Sequence, residues 1–293
     1  MFDYDNLITG DMPGDKIQIG SSHFARAEAV LPLLLEKIKD SKNRKIVVSV
    51  YGGSGVGKSE IASLLATKLS LNGYGTYVLS GDNYPYRVPA ENDRERENRF
   101  RYAGLAALSS SDSFSNYQMD SLKDFWLSGS DSNPKLAEEH EFLQIYQIAG
   151  KKNLINYLGT DEEIDFSLVN NIITKFKRGD SPIVLKRMGR TPEDLYFEQV
   201  NFSSISILII EWTHGNNSAL EEVDFPVFLY STPEQTLEHR LSRARDKGSD
   251  SSFVSMVLAI EQHKLNDRAG TASIIIGKDG NLIDPSDVME ANK

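Results

Sequence analysis

One run of eight residues limits the folds open to this chain more than any other feature. It comprises Gly52, Gly53, Ser54, Gly55, Val56, Gly57, Lys58 and Ser59, and it fits the spacing G-x-x-x-x-G-K-[ST]. Before it, Lys45–Tyr51 (KIVVSVY) is short and rich in β-branched residues and reads as a buried strand. After it, Ile61, Leu64, Leu65 and Leu69 recur on one face of a helix that starts near Lys58 and ends at Gly73. Glycines in such a loop let successive backbone N–H groups turn into one concavity, and the helix start adds its positive dipole end. Lys58 then carries a full charge to the outer phosphates of a nucleotide, and the Ser59 hydroxyl can ligate Mg²⁺.

The rest of the chain alternates strands with helices. Gly75–Ser80, Ser204–Glu211 (SISILIIE), Pro226–Ser231 and Ala272–Ile276 read as further strands. With Lys45–Tyr51 they predict a mainly parallel five-stranded sheet with helices on both faces, a three-layer α/β fold. A helix is expected over Arg26–Asp40 with Val30, Leu33, Leu34 and Ile38 facing the core, and Pro32 in a first turn would start it later. The charged run Glu91–Arg101 reads as a solvated helix, and the Ser-, Asp- and Asn-rich stretch Ser109–Lys135 as a loop, lid or insertion. Residues 136–158, 166–178 and 253–265 read as helices, as does the segment opened by Thr232–Pro233–Glu234–Gln235, a capping threonine with glutamine three residues on.

Composition removes several classes of function. The 32 Lys and Arg against 42 Asp and Glu leave a formal charge of -10, so no broad phosphate-backbone surface is expected and no nucleic-acid partner. The absence of cysteine excludes disulfide scaffolds, thiolate metal sites and cysteine nucleophiles. No apolar run approaches the roughly 20 residues that span a bilayer, and the acidic first residues lack a secretory pattern, so a cytoplasmic chain without a membrane partner is expected. Histidines and carboxylates do not fall at zinc-ligand spacing, there is no G-x-S-x-G element, and the Asn-Lys-x-Asp of a guanine-specific switch is missing.

Asp82 follows the second strand, where functional groups of a parallel sheet collect, and could accept the proton of an attacking hydroxyl or cap the turn at Gly81. Glu211 closes the most apolar strand and suits a magnesium-holding carboxylate. His214 could touch an acceptor or close a turn. Arg187, Arg190, Tyr84 and Arg87 follow strand ends or basic runs and are candidate substrate contacts; Arg243 and Arg245 could neutralise a moving phosphoryl group from a cover over the site.

These segments together resemble the phosphoribulokinase/uridine kinase family of P-loop kinases. The resemblance is carried by GGSGVGKS, Asp82, the IIE ending at Glu211, HRLSRARDKG and Asp165–Gly179 (DFSLVNNIITKFKRG). It implies a P-loop NTPase fold, with residues 45–293 as the kinase domain, a mostly helical acceptor and lid insertion at about 100–190, and residues 1–44 as an arm and helix. It also implies ATP and Mg²⁺ as cofactors, Gly52–Ser59 on the phosphates, Asp82 as base, Glu211 and Ser59 at the metal, and Arg243 and Arg245 as lid arginines. The expected activity is transfer of the γ-phosphoryl group to the hydroxyl of a small molecule; a second copy of the chain is the one macromolecular partner left open. The chain departs from the family in having Gly159–Thr160–Asp161 where Asp-His-Pro is usual, and Trp212 where glycine is usual. VLSGDNYPYR with DRERENRFR is similar to segments of adenylylsulfate kinase, the alternative activity. A nucleotide-binding regulator without turnover is the alternative from another class.

Overall fold

Strand sequences apolar at nearly every position can be buried on both faces only in the middle of a sheet. The computed structural model, which describes residues 7–112, 114–232, 235–236 and 251–290, places them there. In chain order the elements are α1 (Ser21–Asp40), β1 (Ile46–Tyr51), α2 (Lys58–Leu71), β2 (Thr76–Ser80), α3 (Pro89–Ser109), α4 (Asn116–Ser128), α5 (Pro134–Glu139), α6 (Glu141–Tyr157) and α7 (Phe166–Arg178). They continue with β3 (Ile183–Arg187), β4 (Tyr196–Val200), β5 (Ile207–Trp212), β6 (Phe225–Leu229), α8 (Ser252–Asp267), β7 (Ile274–Ile276) and α9 (Pro285–Glu290). The main sheet has the order β2-β5-β1-β6-β7, with every pairing parallel. This is the five-stranded α/β architecture expected from the strand pattern. β1 and β5 are buried at every position and occupy inner places.

Alternate residues of each strand feed opposite layers, as a period of two requires. Val48, Val50, Ile207 and Ile209 pack with Val30 and Leu34 of α1 and Ile61, Leu64 and Leu65 of α2. Val47, Leu208, Ile210 and Trp212 pack with Phe166, Val169, Ile173 and Phe176 of α7. A third cluster joins α3, α4 and α6 to α8 through Phe100, Leu122, Leu143, Tyr146, Val257 and Ile260.

Three expectations change. α1 begins at Ser21, not after Arg26, and Pro32 lies inside it while Leu33 is exposed; the helix is held by its buried stripe Ala27, Val30 and Leu34. The stretch from Ser109 to Lys135 is largely helical. Two of its polar residues sit at caps, with Ser115 Oγ accepting from Gln118 N and Asn133 Oδ1 from Lys135 N, and Trp126 anchors it by donating to the Tyr146 hydroxyl at 2.9 Å. Residues 183–200 form the antiparallel hairpin β3–β4, which the sequence pattern does not announce because β4 is exposed almost throughout. The capping pair at Thr232 is present, since Gln235 N donates to Thr232 Oγ1 and Thr232 N to Gln235 Oε1. Among the described residues, no helix is long and apolar enough to cross a membrane.

Candidate active site

The centre of the site is the turn from β1 into α2. Gly57, the residue just before α2, has φ 94°, a left-handed conformation in which a side chain would be strained, and a Cβ there would lie 2.7 Å from the His23 ring. Glycine here lets the loop close tightly beneath α1. Arg26 of α1 holds the same loop from that side: its Nη1 donates to Val56 O at 2.7 Å and its Nε to Gly277 O at 2.9 Å. Lys58 Nζ donates to Gly53 O at 3.1 Å, which lays the ammonium across the loop.

β1 lies beside β5, and β5 beside β2, so the ends of all three strands converge on this loop. Ser59 Oγ donates to Glu211 Oε2 at 3.2 Å, and Ser80 Oγ to Glu211 Oε1 at 2.9 Å. Both carboxylate oxygens are thus fixed by hydroxyls. Asp82 lies exposed in the 3₁₀ turn Gly81–Asn83 that caps β2. Burial, and next the charge of Asp82, push the Glu211 carboxyl up to about 7 against the pull of Lys58. Lys58, Ser59, Asp82 and Glu211 therefore share one local field.

A second layer of charge lies behind them. Glu261 of α8 accepts from Arg96 Nη2 at 3.2 Å, and Arg96 Nε donates to Glu163 at 2.6 Å. Glu163 also accepts from Asn92 Nδ2 and from Gly159 N. Burial holds the Glu261 carboxyl above its ordinary value, and Lys58 and Asp82 both act on it. The run Glu91–Arg101 is accordingly not a purely solvated face: Arg96 belongs to this network, and Arg101 pairs with buried Asp131 at 3.2 Å. Glu261 could have been read from α8 as a charged residue in register with Val257 and Leu265 on its buried stripe. Glu163 and Ser80 carry no comparable signal.

The remaining candidates separate. Tyr84 is fully buried in the core beneath β5, and Arg187 is buried and paired with Asp11 at 2.8 Å and Glu198 at 3.0 Å, so neither presents itself to an acceptor. Both fold inward because the hairpin β3–β4 closes over the β2 turn. Arg87 donates to the Tyr157 hydroxyl at 3.2 Å, and Arg190 is exposed in the loop after β3. The main chain of His214 closes a turn with Asn217, while its ring stands edge-on to Trp212. Burial holds that imidazole down, to about 4, so it is neutral at physiological pH. Arg243 and Arg245 lie outside the described residues.

A cleft of about 420 Å³ adjoins this centre, with walls that include Asp161, Phe166, His214, Asn217, Glu261 and Lys264. Lys58, Ser59, Asp82 and Glu211 do not line it; Glu261 and His214 are where it meets the charged layer.

A parallel sheet with a strand–GGSGVGKS–helix unit at its centre and carboxylates on the two neighbouring strand ends defines a P-loop α/β protein. No family model matches the chain. Its sequence is 35% identical over 254 residues to the bifunctional alpha-galactosidase/sucrose kinase AgaSK of Mediterraneibacter gnavus. The match takes in 85% of this chain but 22% of that protein, so the chain spans about a fifth of its curated relative. Among solved structures, a possible uridine kinase from Bacillus stearothermophilus is similar over 85% of this chain and 96% of its own, with TM-score 0.45 and 13% identity. The D-glycerate 3-kinase of Cryptococcus neoformans is similar over 94% and 86%, with TM-score 0.34 and 13% identity.

Proposed function

We propose that the chain is an ATP-dependent kinase that transfers the γ-phosphoryl group to a hydroxyl of an uncharged sugar. The observation that carries this reading is the meeting of Ser59 with Glu211 at the phosphate loop, with Asp82 at the adjoining strand end. The loop amides and Lys58 hold the polyphosphate and draw charge from the β–γ bridging oxygen as its bond to phosphorus breaks. Asp82 accepts the proton of the attacking hydroxyl while that oxygen bonds to the γ-phosphorus. Ser59 and Glu211 are hard oxygen donors with fixed orientation, a set that fits Mg²⁺. When bound, the ion offsets charge on the β- and γ-oxygens.

Electrostatics favour a neutral acceptor. Asp82, Glu211 and Glu261 all act on the same space with Lys58, and Arg96, a second cation among the described residues, is engaged by Glu163 and Glu261. An anionic acceptor such as adenylylsulfate would add negative charge beside these three carboxylates, which Lys58 at the loop and Lys264 and Arg268 of the cleft offset in part. The sucrose kinase activity named for the bacterial relative agrees with a neutral sugar.

The test is ADP release from Mg²⁺–ATP against sucrose, monosaccharides, uridine and adenylylsulfate. Turnover is expected with a sugar, and Lys58→Ala and Asp82→Asn should each lower kcat by about 10²-fold or more with the fold retained. Nucleotide binding without ADP release on any acceptor would instead mark a regulatory binder.

A further inference from the structure

The segment ahead of α1 shows little periodicity and has no evident part in catalysis, yet the structure binds it tightly to the site. Asp11 is the anchor. Its Oδ1 accepts from Ser80 N at 2.7 Å and from Asn83 Nδ2 at 3.0 Å; its Oδ2 accepts from the Tyr77 hydroxyl at 2.9 Å and from Arg187 Nη1 at 2.8 Å. The side chain is 8% exposed. Four donors from three separate elements therefore converge on one buried carboxylate and offset part of the cost of removing a charge from water; burial still holds that carboxyl above its ordinary value.

The donors bracket Asp82. Ser80 and Asn83 lie on either side of it, and Ser80 also donates its hydroxyl to Glu211. Asn83 passes the restraint on, because its Oδ1 accepts from Met188 N at the end of β3. Arg187, fixed on its other edge by Glu198, ties in the hairpin β3–β4. The segment is itself held along α2, where Ile8 N donates to Thr67 Oγ1 at 3.0 Å and Ile19 packs on the core. Asp15 comes close enough for its charge to act on Glu211.

We propose that Asp11 is a positioning residue of the phosphoryl-transfer site, holding the β2 turn so that Asp82 faces the acceptor hydroxyl. This rests on the kinase reading given above. Gly81 and Asn83 of this turn are buried, Gly81 against the Trp212 ring, while Asp82 is exposed, and a displacement of about 1 Å in such a group can cost about 10²-fold in rate.

The test compares wild type with Asp11→Asn and with the milder Tyr77→Phe, which keeps the ion pair and loses the bridging hydroxyl. Amide exchange of Ser80 reports the clamp directly, because that N–H is bonded to Asp11. Faster exchange across residues 80–84 is expected in Asp11→Asn, with a smaller change in Tyr77→Phe. kcat should fall about 10- to 100-fold in Asp11→Asn while KM for ATP stays within about 3-fold. If Asp11 acts through Asp82, adding Asp11→Asn to Asp82→Asn should lower the residual rate less than about 3-fold. Loosened exchange with unchanged kcat, or full additivity with Asp82→Asn, would overturn the proposal and leave a structural brace. A wild-type chain that transfers phosphate to no hydroxyl would sink the kinase reading and the positioning role together, whatever the exchange data show.

Discussion

At Glu211 the same burial that orients the carboxylate for a cation makes it reluctant to ionise. With no cation bound, its raised pKa means that the folded state holds its proton more tightly than the unfolded chain. The sign follows: relative to a variant without this carboxyl, stability falls as pH rises from the ordinary carboxylate value towards about 7, by an amount on the order of a few kcal/mol. Thermal unfolding of wild type and Glu211→Gln from pH 4.5 to 8 should show it, the variant gaining on wild type as pH increases and Mg²⁺ narrowing the gap. Parallel curves would contradict the assigned burial. The residues of the loop could be named from sequence because backbone conformation there depends on glycine itself. Tyr84 and Arg187 could not be placed, because whether a polar side chain faces a substrate or an internal partner depends on what packs across from it.

Between elements, α3 and α6 meet closely. A Cβ on Gly104 would lie 2.4 Å from the Tyr146 ring, and one on Gly150 would lie 2.5 Å from the Phe100 ring. The two glycines act reciprocally, each receiving an aromatic ring from the other helix, with the Phe100 and Tyr146 rings in edge contact at 5.4 Å. Gly150→Ala should therefore separate the helices and destabilise the fold by about 1–3 kcal/mol despite alanine's better helix propensity, a loss read as a lower Tm. Because Arg96 lies on α3 and reaches Glu163 and Glu261, the same variant should raise KM for the acceptor more than KM for ATP. The helical character of 116–128 is obscured in the sequence by its many polar residues, of which only Ser115 before it is a cap, whereas Phe125 and Trp126 mark the part that packs.

Across the molecule, a net charge of -10 surrounds a site built to hold a polyanion. Local amides and Lys58 must act against that field, so raising ionic strength from about 10 mM to about 150 mM should speed association of Mg²⁺–ATP, the reverse of what a basic nucleotide-binding protein shows. Stopped-flow binding rates would decide it. Mg²⁺–ATP at a hundredfold excess over Kd should stabilise the fold by about 2.7 kcal/mol, seen as a Tm increase of several degrees in wild type and lost in Lys58→Ala. An equal increase in both would place the nucleotide elsewhere.

The parallel sheet, the phosphate loop and the carboxylates at the ends of β2 and β5 were legible from residue order alone. Each depends on interactions within about ten residues: β-branched runs, glycine conformations, and the rule that strand ends gather function. Tertiary structure alone decided the rest. Asp11 and Arg187 stand 176 residues apart, and Arg96 and Glu261 stand 165 apart. Of these four, Glu261 shows itself locally by its register on the buried stripe of α8; no local pattern distinguishes Asp11, Arg187 and Arg96 from solvated neighbours, because their role arises only when chain topology brings opposite charges together and removes the water between them.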